Sequence, residues 1–235
     1  MTRAVELVVL DMAGTTVRDD GAVEAAFSAA LEAVGVPAGS PEREDVDAYV
    51  RDTMGQSKIE VFRALFPADG VAEKANQVFE TAFASQAIEV AAPLPGAEEA
   101  IDKLRAQGRR VCLSTGFSAA TRDALLERLG WTDLADLVVC PADAGGRGRP
   151  FPDMVLTAVL RLGITDVRAV AVAGDTGFDM LTGRRAGASV AAGVLTGAHD
   201  EATLRAHGAT HVLGSVAELP AVLEELGGAV FPRCS

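Results

Sequence analysis

Residues 6–16 read Glu-Leu-Val-Val-Leu-Asp-Met-Ala-Gly-Thr-Thr, an apolar run that ends in a carboxylate and a turn. The run is continuously apolar rather than alternating, which is typical of a strand in a parallel sheet covered on both faces. Ligands of such sheets bind beyond the carboxyl ends of the strands. Asp11 is therefore predicted to stand at a binding edge. Gly14 permits a tight turn after it, and Thr15 and Thr16 can donate hydrogen bonds to an anion.

Five further apolar runs of strand length follow in the chain. They lie at 109–115, 136–140, 169–174, 189–194 and 210–215. Segments with helical periodicity alternate with them, at 96–107, 118–129, 151–162, 177–187 and 216–226. This alternation predicts an α/β fold, built on a Rossmann-like, doubly wound parallel sheet.

The stretch between the first and second strands breaks this alternation. From Val17 to Ala92 the sequence shows only helical patterns, at 22–34, 41–52, 57–66 and 70–90. We therefore expect an inserted α-helical cap domain over 17–92, on a core domain formed by 1–16 and 93–235. Gly- and Pro-containing segments at 18–21 and 92–96 are the expected hinges.

Composition narrows the classes of partner. The chain has 235 residues, with 33 Asp and Glu against 21 Lys and Arg, so its formal charge is -12. An acidic chain repels a phosphate backbone, and no nucleic-acid partner is expected. A site for a small anion must then supply its own positive charge. The oligomeric state stays open, with a homodimer as one option.

The cysteines and the apolar runs indicate a location. The spacing of the three cysteines fits no metal site. Cys112 and Cys140 lie in apolar runs and are expected to be small core residues, which suits a reducing compartment. Cys234 is expected to fray at the terminus. No signal peptide precedes the first strand, and no run reaches the length of about 18 apolar residues that a membrane span needs. We expect a cytoplasmic protein without membrane contact.

Polar residues follow three of the later strand runs. The segment 174–179, Gly-Asp-Thr-Gly-Phe-Asp, places two carboxylates four residues apart at a helix start, which suits a hard divalent cation or, alternatively, an N-terminal capping box. The triplet 114–116, Ser-Thr-Gly, can hold a phosphoryl oxygen. Arg149 can neutralise a phosphate, although it could also be a solvent-exposed arginine, and Arg147 is a competing choice. Asp11 alone could equally be a turn or cap residue.

Taken together and in this order, these residues resemble the motifs of the haloacid dehalogenase superfamily of phosphotransferases. The resemblance covers the whole chain and implies that Asp11 is a nucleophile that becomes an aspartyl phosphate. It implies a Mg²⁺ cofactor held by Asp11, Asp175 and the carbonyl of Ala13, with Asp179 in support. The residues implied to bind the phosphoryl group are Thr15, Ser114 or Thr115, Gly116 and Arg149.

Ala13 departs from that pattern. Most phosphatases of the superfamily carry a second Asp there, which protonates the leaving alcohol and later activates water. A methyl group can do no acid–base chemistry. The chain is thus either a degenerate, inactive relative or an enzyme whose leaving group needs no acid.

The motif Asp-Met-Ala-Gly-Thr-Thr resembles that of the phosphonoacetaldehyde hydrolase subgroup, which also has this Ala. Those enzymes cleave a carbon–phosphorus bond after a cap lysine forms a Schiff base with the aldehyde. Met54-Gly55-Gln56-Ser57-Lys58 resembles the Met-Gly-x-x-Lys segment that carries this lysine. The resemblance implies that Lys58 is catalytic and that Gly55 lies at the substrate site, although a lysine on a helix is more often a surface residue.

Two positions differ from the subgroup, which has a His where this chain has Val61 and a Tyr where it has Phe117. The expected substrate is accordingly phosphonoacetaldehyde or a related β-carbonyl phosphonate. Two alternatives remain at this stage. One is a phosphatase for small phosphate monoesters, and the other is a non-catalytic binding protein that keeps the fold.

Overall fold

A computed structural model describes residues 4–18 and 20–227. Its centre is a six-stranded sheet in the order β3-β2-β1-β4-β5-β6, in which every pair is parallel. All six predicted runs form strands, and the predicted α/β fold is confirmed. The strands are β1 (Leu7–Asp11), β2 (Arg110–Ser114), β3 (Leu137–Val139), β4 (Val170–Gly174), β5 (Val190–Val194) and β6 (His211–Leu213).

Helices cover the two faces of this sheet. Five of them were predicted: α5 (Ala97–Ala106), α6 (Ala119–Leu129), α7 (Asp153–Arg161), α8 (Gly177–Ala186) and α10 (Leu219–Gly227). A sixth helix, α9 (Glu201–Ala206), was not predicted. It has six residues and buries only Leu204, which is too little to give a helical hydrophobic pattern.

Four helices lie within 17–92, where the cap is predicted. They are α1 (Ala22–Ala33), α2 (Pro41–Asp52), α3 (Lys58–Leu65) and α4 (Val71–Val90). Aromatic rings join three of these helices, since Phe27 of α1 packs against Phe62 of α3 and Phe79 of α4 with ring centroids 5.3 and 4.9 Å apart. The amphipathic patterns seen in the sequence are therefore explained by burial within this group of helices.

The two connections between these helices and the sheet run side by side. Val17 pairs with Pro93 in an antiparallel bridge. The amide of Arg18 donates to the carbonyl of Ala92 (2.9 Å), and that of Leu94 donates to the carbonyl of Thr16 (2.9 Å). The crossings thus lie close to the predicted domain boundaries. Asp19 of the predicted hinge lies outside the described residues.

Cys112 and Cys140 are buried, unpaired thiols, as predicted. Cys234 lies outside the described residues. Within the described part of the chain, no helix combines the length and the apolar character that crossing a membrane requires.

Candidate active site

Asp11 is the last residue of β1, and the residue is 5% exposed. The guanidinium of buried Arg149 donates through Nη1 to Oδ1 of Asp11 and to Oδ1 of Asp179. Its Nε donates to the carbonyl of Gly55 in the cap (3.1 Å). Of the two candidates, Arg147 and Arg149, it is therefore Arg149 that contacts Asp11. Arg147 instead lies over the ring of exposed Phe151, 4.3 Å from its centroid.

Asp175 directly follows β4 and is held on two sides. Its Oδ1 accepts from the hydroxyl of Thr15 (3.3 Å), and its Oδ2 accepts from the amide of Ala198 (2.8 Å). A Cβ at Gly197 would collide with this carboxylate, so glycine is required there for the close approach. These contacts fix Asp175 beside Asp11.

Asp179 performs a supporting function. Its Oδ2 accepts from the amide (3.1 Å) and the hydroxyl (2.5 Å) of Thr176, which closes a capping box at the start of α8. Its other oxygen is bound by Arg149. The alternative of a capping role is therefore present in the structure, and both oxygens of Asp179 are bound by protein donors.

The remaining donors fit a magnesium ion. Within residues 4–18 and 20–227, no three carboxylate, thiolate or imidazole groups converge as a ready metal cage. Mg²⁺ does not need one, because it keeps several waters and binds through one or two carboxylates. Asp11, Ala13 and Asp175 line one cavity and supply two carboxylates and a backbone carbonyl. Asp11, Asp175 and Asp179 together can carry more negative charge than Arg149 carries positive charge, and a divalent cation would offset the excess.

Burial strongly shifts the pKa values of Asp11 and Asp175. Burial raises the pKa of Asp11 from 3.8 to about 8, while Arg149 opposes the rise and Asp179 and Asp175 add to it. Burial, followed by repulsion from Asp179, raises the pKa of Asp175 to about 6. Burial lowers the pKa of the Arg149 guanidinium, but the negative charges of Asp11 and Asp179 and their hydrogen bonds raise it. The net result is a raised pKa of Arg149. In the metal-free protein, Asp11 and Asp175 therefore keep their protons to higher pH than a free aspartate does, and a metal ion would have to displace them.

We predict that magnesium stabilises this protein more at pH 8 than at pH 5. The raised pKa values mean that the metal-free folded state binds more protons than the unfolded state between about pH 4 and pH 8. Its free energy of unfolding therefore falls as pH rises through this window. Magnesium binds the deprotonated carboxylates and compensates this loss. Thermal unfolding at both pH values, with and without Mg²⁺, measures the effect. An equal Mg²⁺-induced shift of Tm at both values would contradict the prediction, and Asp11→Asn should flatten the dependence.

The predicted phosphoryl-binding residues separate into two groups. Thr115 and Gly116 line the cavity next to Asp11. The hydroxyl of Ser114 points to the carbonyl of Leu10 (3.5 Å), so the geometry favours Thr115 of the two alternatives. Thr15 does not take its predicted place, because its hydroxyl is bound to Asp175 and its amide to the carbonyl of Met12 (3.1 Å). It supports the metal side of the site instead.

The cap contributes two of the predicted residues. Lys58 begins α3 and is only 6% exposed, which excludes the alternative of a surface lysine. Its Nζ lies 5.2 Å from the ring centroid of Phe27 and 5.8 Å from that of Phe79. Gly55 has φ +93°, and a Cβ there would collide with Thr176 of the core. Only glycine allows the cap loop to approach the reaction centre this closely.

Core and cap enclose one cavity of about 440 Å³. Its walls include both predicted catalytic residues and several of the predicted metal and phosphoryl ligands: Asp11, Ala13, Lys58, Thr115, Arg149 and Asp175. Thr15, Ser114 and Asp179 do not line it. Residues that lie far apart in the sequence therefore face a common space of a size suited to a small substrate.

Sequence reasoning missed the loop after β5. The amide of Ala198 binds Asp175, and the hydroxyl of Thr196 donates to the carbonyl of Gly14 (2.6 Å). The rule that polar residues after strands form the site would have found this loop had it been applied to the fifth strand. Thr176 lies within the motif 174–179, and its amide and hydroxyl bind the carboxylate of Asp179.

Comparisons with known proteins agree with this geometry. A family of haloacid dehalogenase-like hydrolases matches residues 5–187. A probable phosphatase, IndB, of Dickeya dadantii is 33% identical over 205 residues, which are 85% of this chain and 85% of that protein. A phosphonoacetaldehyde hydrolase of Syntrophobacter fumaroxidans is 32% identical over 207 residues, covering 79% of this chain and 71% of that enzyme.

Among solved structures, the fold is similar to that of a phosphonoacetaldehyde hydrolase-like protein from Oleispira antarctica. The TM-score is 0.82 at 25% identity, over 96% of this chain and 93% of the other. The family match covers more than half of the chain and includes β1, β2 and β4, which carry the site. The protein is therefore a hydrolase of the haloacid dehalogenase-like family.

Proposed function

We propose that this hydrolase uses Mg²⁺ and cleaves the carbon–phosphorus bond of a small β-carbonyl phosphonate, such as phosphonoacetaldehyde. Asp11 takes the phosphoryl group, and Lys58 forms an imine with the carbonyl group. The observation that carries the proposal is the buried Lys58 facing the same cavity as Asp11, in a chain that has Ala13 where an acid would otherwise stand.

The phosphoryl end of the substrate would lie against the core. Asp11 supplies the attacking oxygen, and Arg149 holds Asp11 in place and offers positive charge to the phosphoryl oxygens. Thr115, which lines the same cavity, can donate its hydroxyl. Bound magnesium, held by Asp11, Asp175 and the carbonyl of Ala13, would offset the repulsion between Asp11 and the anionic substrate.

The carbonyl end would reach the cap. Attack of the Lys58 amine on the carbonyl carbon, with loss of water, gives an imine, and uptake of a proton by its nitrogen gives an iminium ion. The rings of Phe27 and Phe79 lie close to the nitrogen that bears this positive charge, and aromatic faces attract cations. An apolar wall thus accompanies the reacting lysine.

Bond cleavage then follows without an external acid. As an oxygen of Asp11 bonds to phosphorus, the carbon–phosphorus electron pair moves to the adjacent carbon, and the iminium ion becomes a neutral enamine. A bare carbanion is a very poor leaving group, whereas an enamine is a reasonable one. Protonation and hydrolysis of the enamine release the carbonyl product and Lys58. Water hydrolyses the aspartyl phosphate to phosphate and Asp11. The step needs no carboxyl group at Ala13.

The principal alternative is a phosphatase acting on a small phosphate monoester. The similarity to a protein named probable phosphatase favours it. Two apolar residues, Val61 and Phe117, also favour it. Val61 is buried, and Phe117 packs against Phe83 in a tilted arrangement with ring centroids 4.3 Å apart, so neither offers a polar group to an aldehyde. The similarity to phosphonoacetaldehyde hydrolases favours carbon–phosphorus cleavage. Membership of a hydrolase family argues against a non-catalytic binding protein.

The deciding experiment is phosphate release from a panel of phosphonates and phosphate esters, with Mg²⁺ and with excess chelator. We expect release from a β-carbonyl phosphonate that stops on chelation and returns with Mg²⁺. Release only from alkyl phosphates would establish the phosphatase alternative. Full turnover in excess chelator would show that the reaction does not require Mg²⁺. Weak activity on an aryl phosphate decides nothing, because an activated leaving group needs little protonation.

We predict that Ala13→Asp raises hydrolysis of simple alkyl phosphates, which the wild-type protein should turn over poorly. The new carboxyl group could protonate an alkoxide leaving group, and such catalysis contributes about 10²–10⁴-fold. Steady-state rates on an alkyl phosphate and on a β-carbonyl phosphonate measure the change. Ala13→Asn, which adds similar bulk without an acid, is the control. Rapid alkyl phosphate hydrolysis by the wild type would show that another group already supplies the proton.

A further inference from the structure

Helix α4 of the cap contacts the core at the start of α6 through Glu80. The carboxylate oxygen Oε2 of this half-buried residue accepts from the hydroxyl of Ser118 (2.8 Å) and from that of Thr121 (2.6 Å). Ser118 is the N-cap of α6, and its hydroxyl in turn accepts from the amide of Thr121 (3.2 Å). The first turn of α6 has no acidic residue of its own, so the cap supplies the negative charge that a helix start favours.

About one turn further along α4, a second contact reaches the phosphoryl-binding side of the cavity. The ring of Phe83 packs against that of Phe117 with centroids 4.3 Å apart. Phe117 directly precedes Ser118 and lines the cavity, and its amide donates to the hydroxyl of Thr115 (3.3 Å). Both contacts of α4 with the core thus lie next to the segment that contains Thr115, the predicted phosphoryl ligand.

The same row of aromatic rings continues from Phe83 to Lys58. Phe79 and Phe83 stack with ring centroids 6.0 Å apart and an angle of 9° between the ring planes. The Nζ of Lys58 lies 5.8 Å from the ring centroid of Phe79. Helix α4 thus packs against Lys58 at one end of the row and against Phe117 at the other, and both of these residues line the cavity. The placement of α4 therefore sets the distance between the amine and the phosphoryl-binding segment.

We propose that Glu80 is a positioning residue that docks α4 onto the start of α6 and thereby places the Lys58 amine at its working distance from the phosphoryl group. Glu80 is not among the residues that line the cavity, so it acts through the rings of Phe79 and Phe83. The inference rests on the proposed function, because a phosphate ester needs no amine. Misplacement of a reacting group by about 1 Å can lower a rate by about 10²-fold.

The test compares Glu80→Ala, which removes the acceptor, with Glu80→Gln, whose side-chain carbonyl can still accept from both hydroxyls. In Glu80→Ala, the kcat for phosphonoacetaldehyde should fall about tenfold, because the amine is displaced. The KM should change less than about twofold, because the phosphoryl-binding residues belong to the core. Amide hydrogen exchange in 117–122 should rise about tenfold, because α6 loses two hydrogen bonds to a charged group. Glu80→Gln should recover most of both effects.

Glu73→Ala is the matched control on the same helix. Glu73 is exposed, and the side chain that donates to it (3.3 Å) is Arg63 of α3, which also belongs to the cap. This variant should keep wild-type kcat and wild-type exchange in 117–122. Unchanged exchange or unchanged kcat in Glu80→Ala overturns the proposal, as does a loss of kcat that Glu80→Gln does not restore or that Glu73→Ala equals. If the wild-type protein cleaves no phosphonate, it is the proposed function that fails, and the exchange measurement still decides whether Glu80 docks α4.

Discussion

Asp11→Asn should reduce turnover by about 10⁴-fold or more while the fold is retained, as expected for loss of a nucleophile. The amide is nearly isosteric with the carboxylate and can still accept from Arg149, but it cannot attack phosphorus. The substitution also removes the carboxyl group of Asp11, whose pKa burial raises to about 8, from a cluster of three buried acidic groups. We therefore expect no loss of thermal stability in the metal-free protein at pH 8.

The measurement is phosphate release under single-turnover conditions, together with circular dichroism and a melting curve. An intact fold with lost turnover assigns the effect to chemistry. If the folded variant retains more than a small fraction of wild-type turnover, the aspartyl-phosphate mechanism is wrong for both the phosphonate and the phosphate substrate.

Lys58→Arg should lose cleavage of a β-carbonyl phosphonate by about 10³-fold or more, because a guanidinium keeps the positive charge but forms no imine. The side chain is buried beside Phe27 and Phe79, so the bulkier arginine could disturb the cap. Lys58→Met, which is unbranched and uncharged, provides a second variant of smaller volume. Both should lose activity if the amine itself reacts.

Lys74→Arg is the control for the loss of a lysine from the cap. Lys74 lies on α4 and donates to the carbonyl of Ala33 (2.8 Å), outside the cavity walls. Its substitution should leave turnover unchanged. Normal cleavage of the phosphonate by Lys58→Arg would remove the Schiff base from the account and favour the phosphatase alternative.

The sequence predicted the sheet, the inserted helices and the members of the site because each left a local signal. Continuously apolar runs marked the buried parallel strands, and the helix α2 (Pro41–Asp52) was predicted with the observed bounds. Asp11 and Asp175 were found because parallel strands bring their carboxyl ends to one edge.

The contacts that orient these residues could not be predicted in the same way. The hydroxyl of Thr15 was assigned to a phosphoryl group, yet it binds Asp175, and no local pattern distinguishes these partners. The bond from Arg149 to Gly55 joins residues 94 positions apart. Such contacts depend on how the cap lies on the core, and periodicity carries no information about that placement.

The most direct test of the central claim is borohydride reduction of the wild-type protein in the presence of phosphonoacetaldehyde, followed by peptide mass spectrometry. Reduction converts an imine into a stable secondary amine at the lysine that formed it. We predict one substrate-dependent adduct, which lies on Lys58 and does not form in Lys58→Arg. An adduct confined to Lys74 or Lys103, or no adduct in a protein that still releases phosphate from the phosphonate, would contradict it.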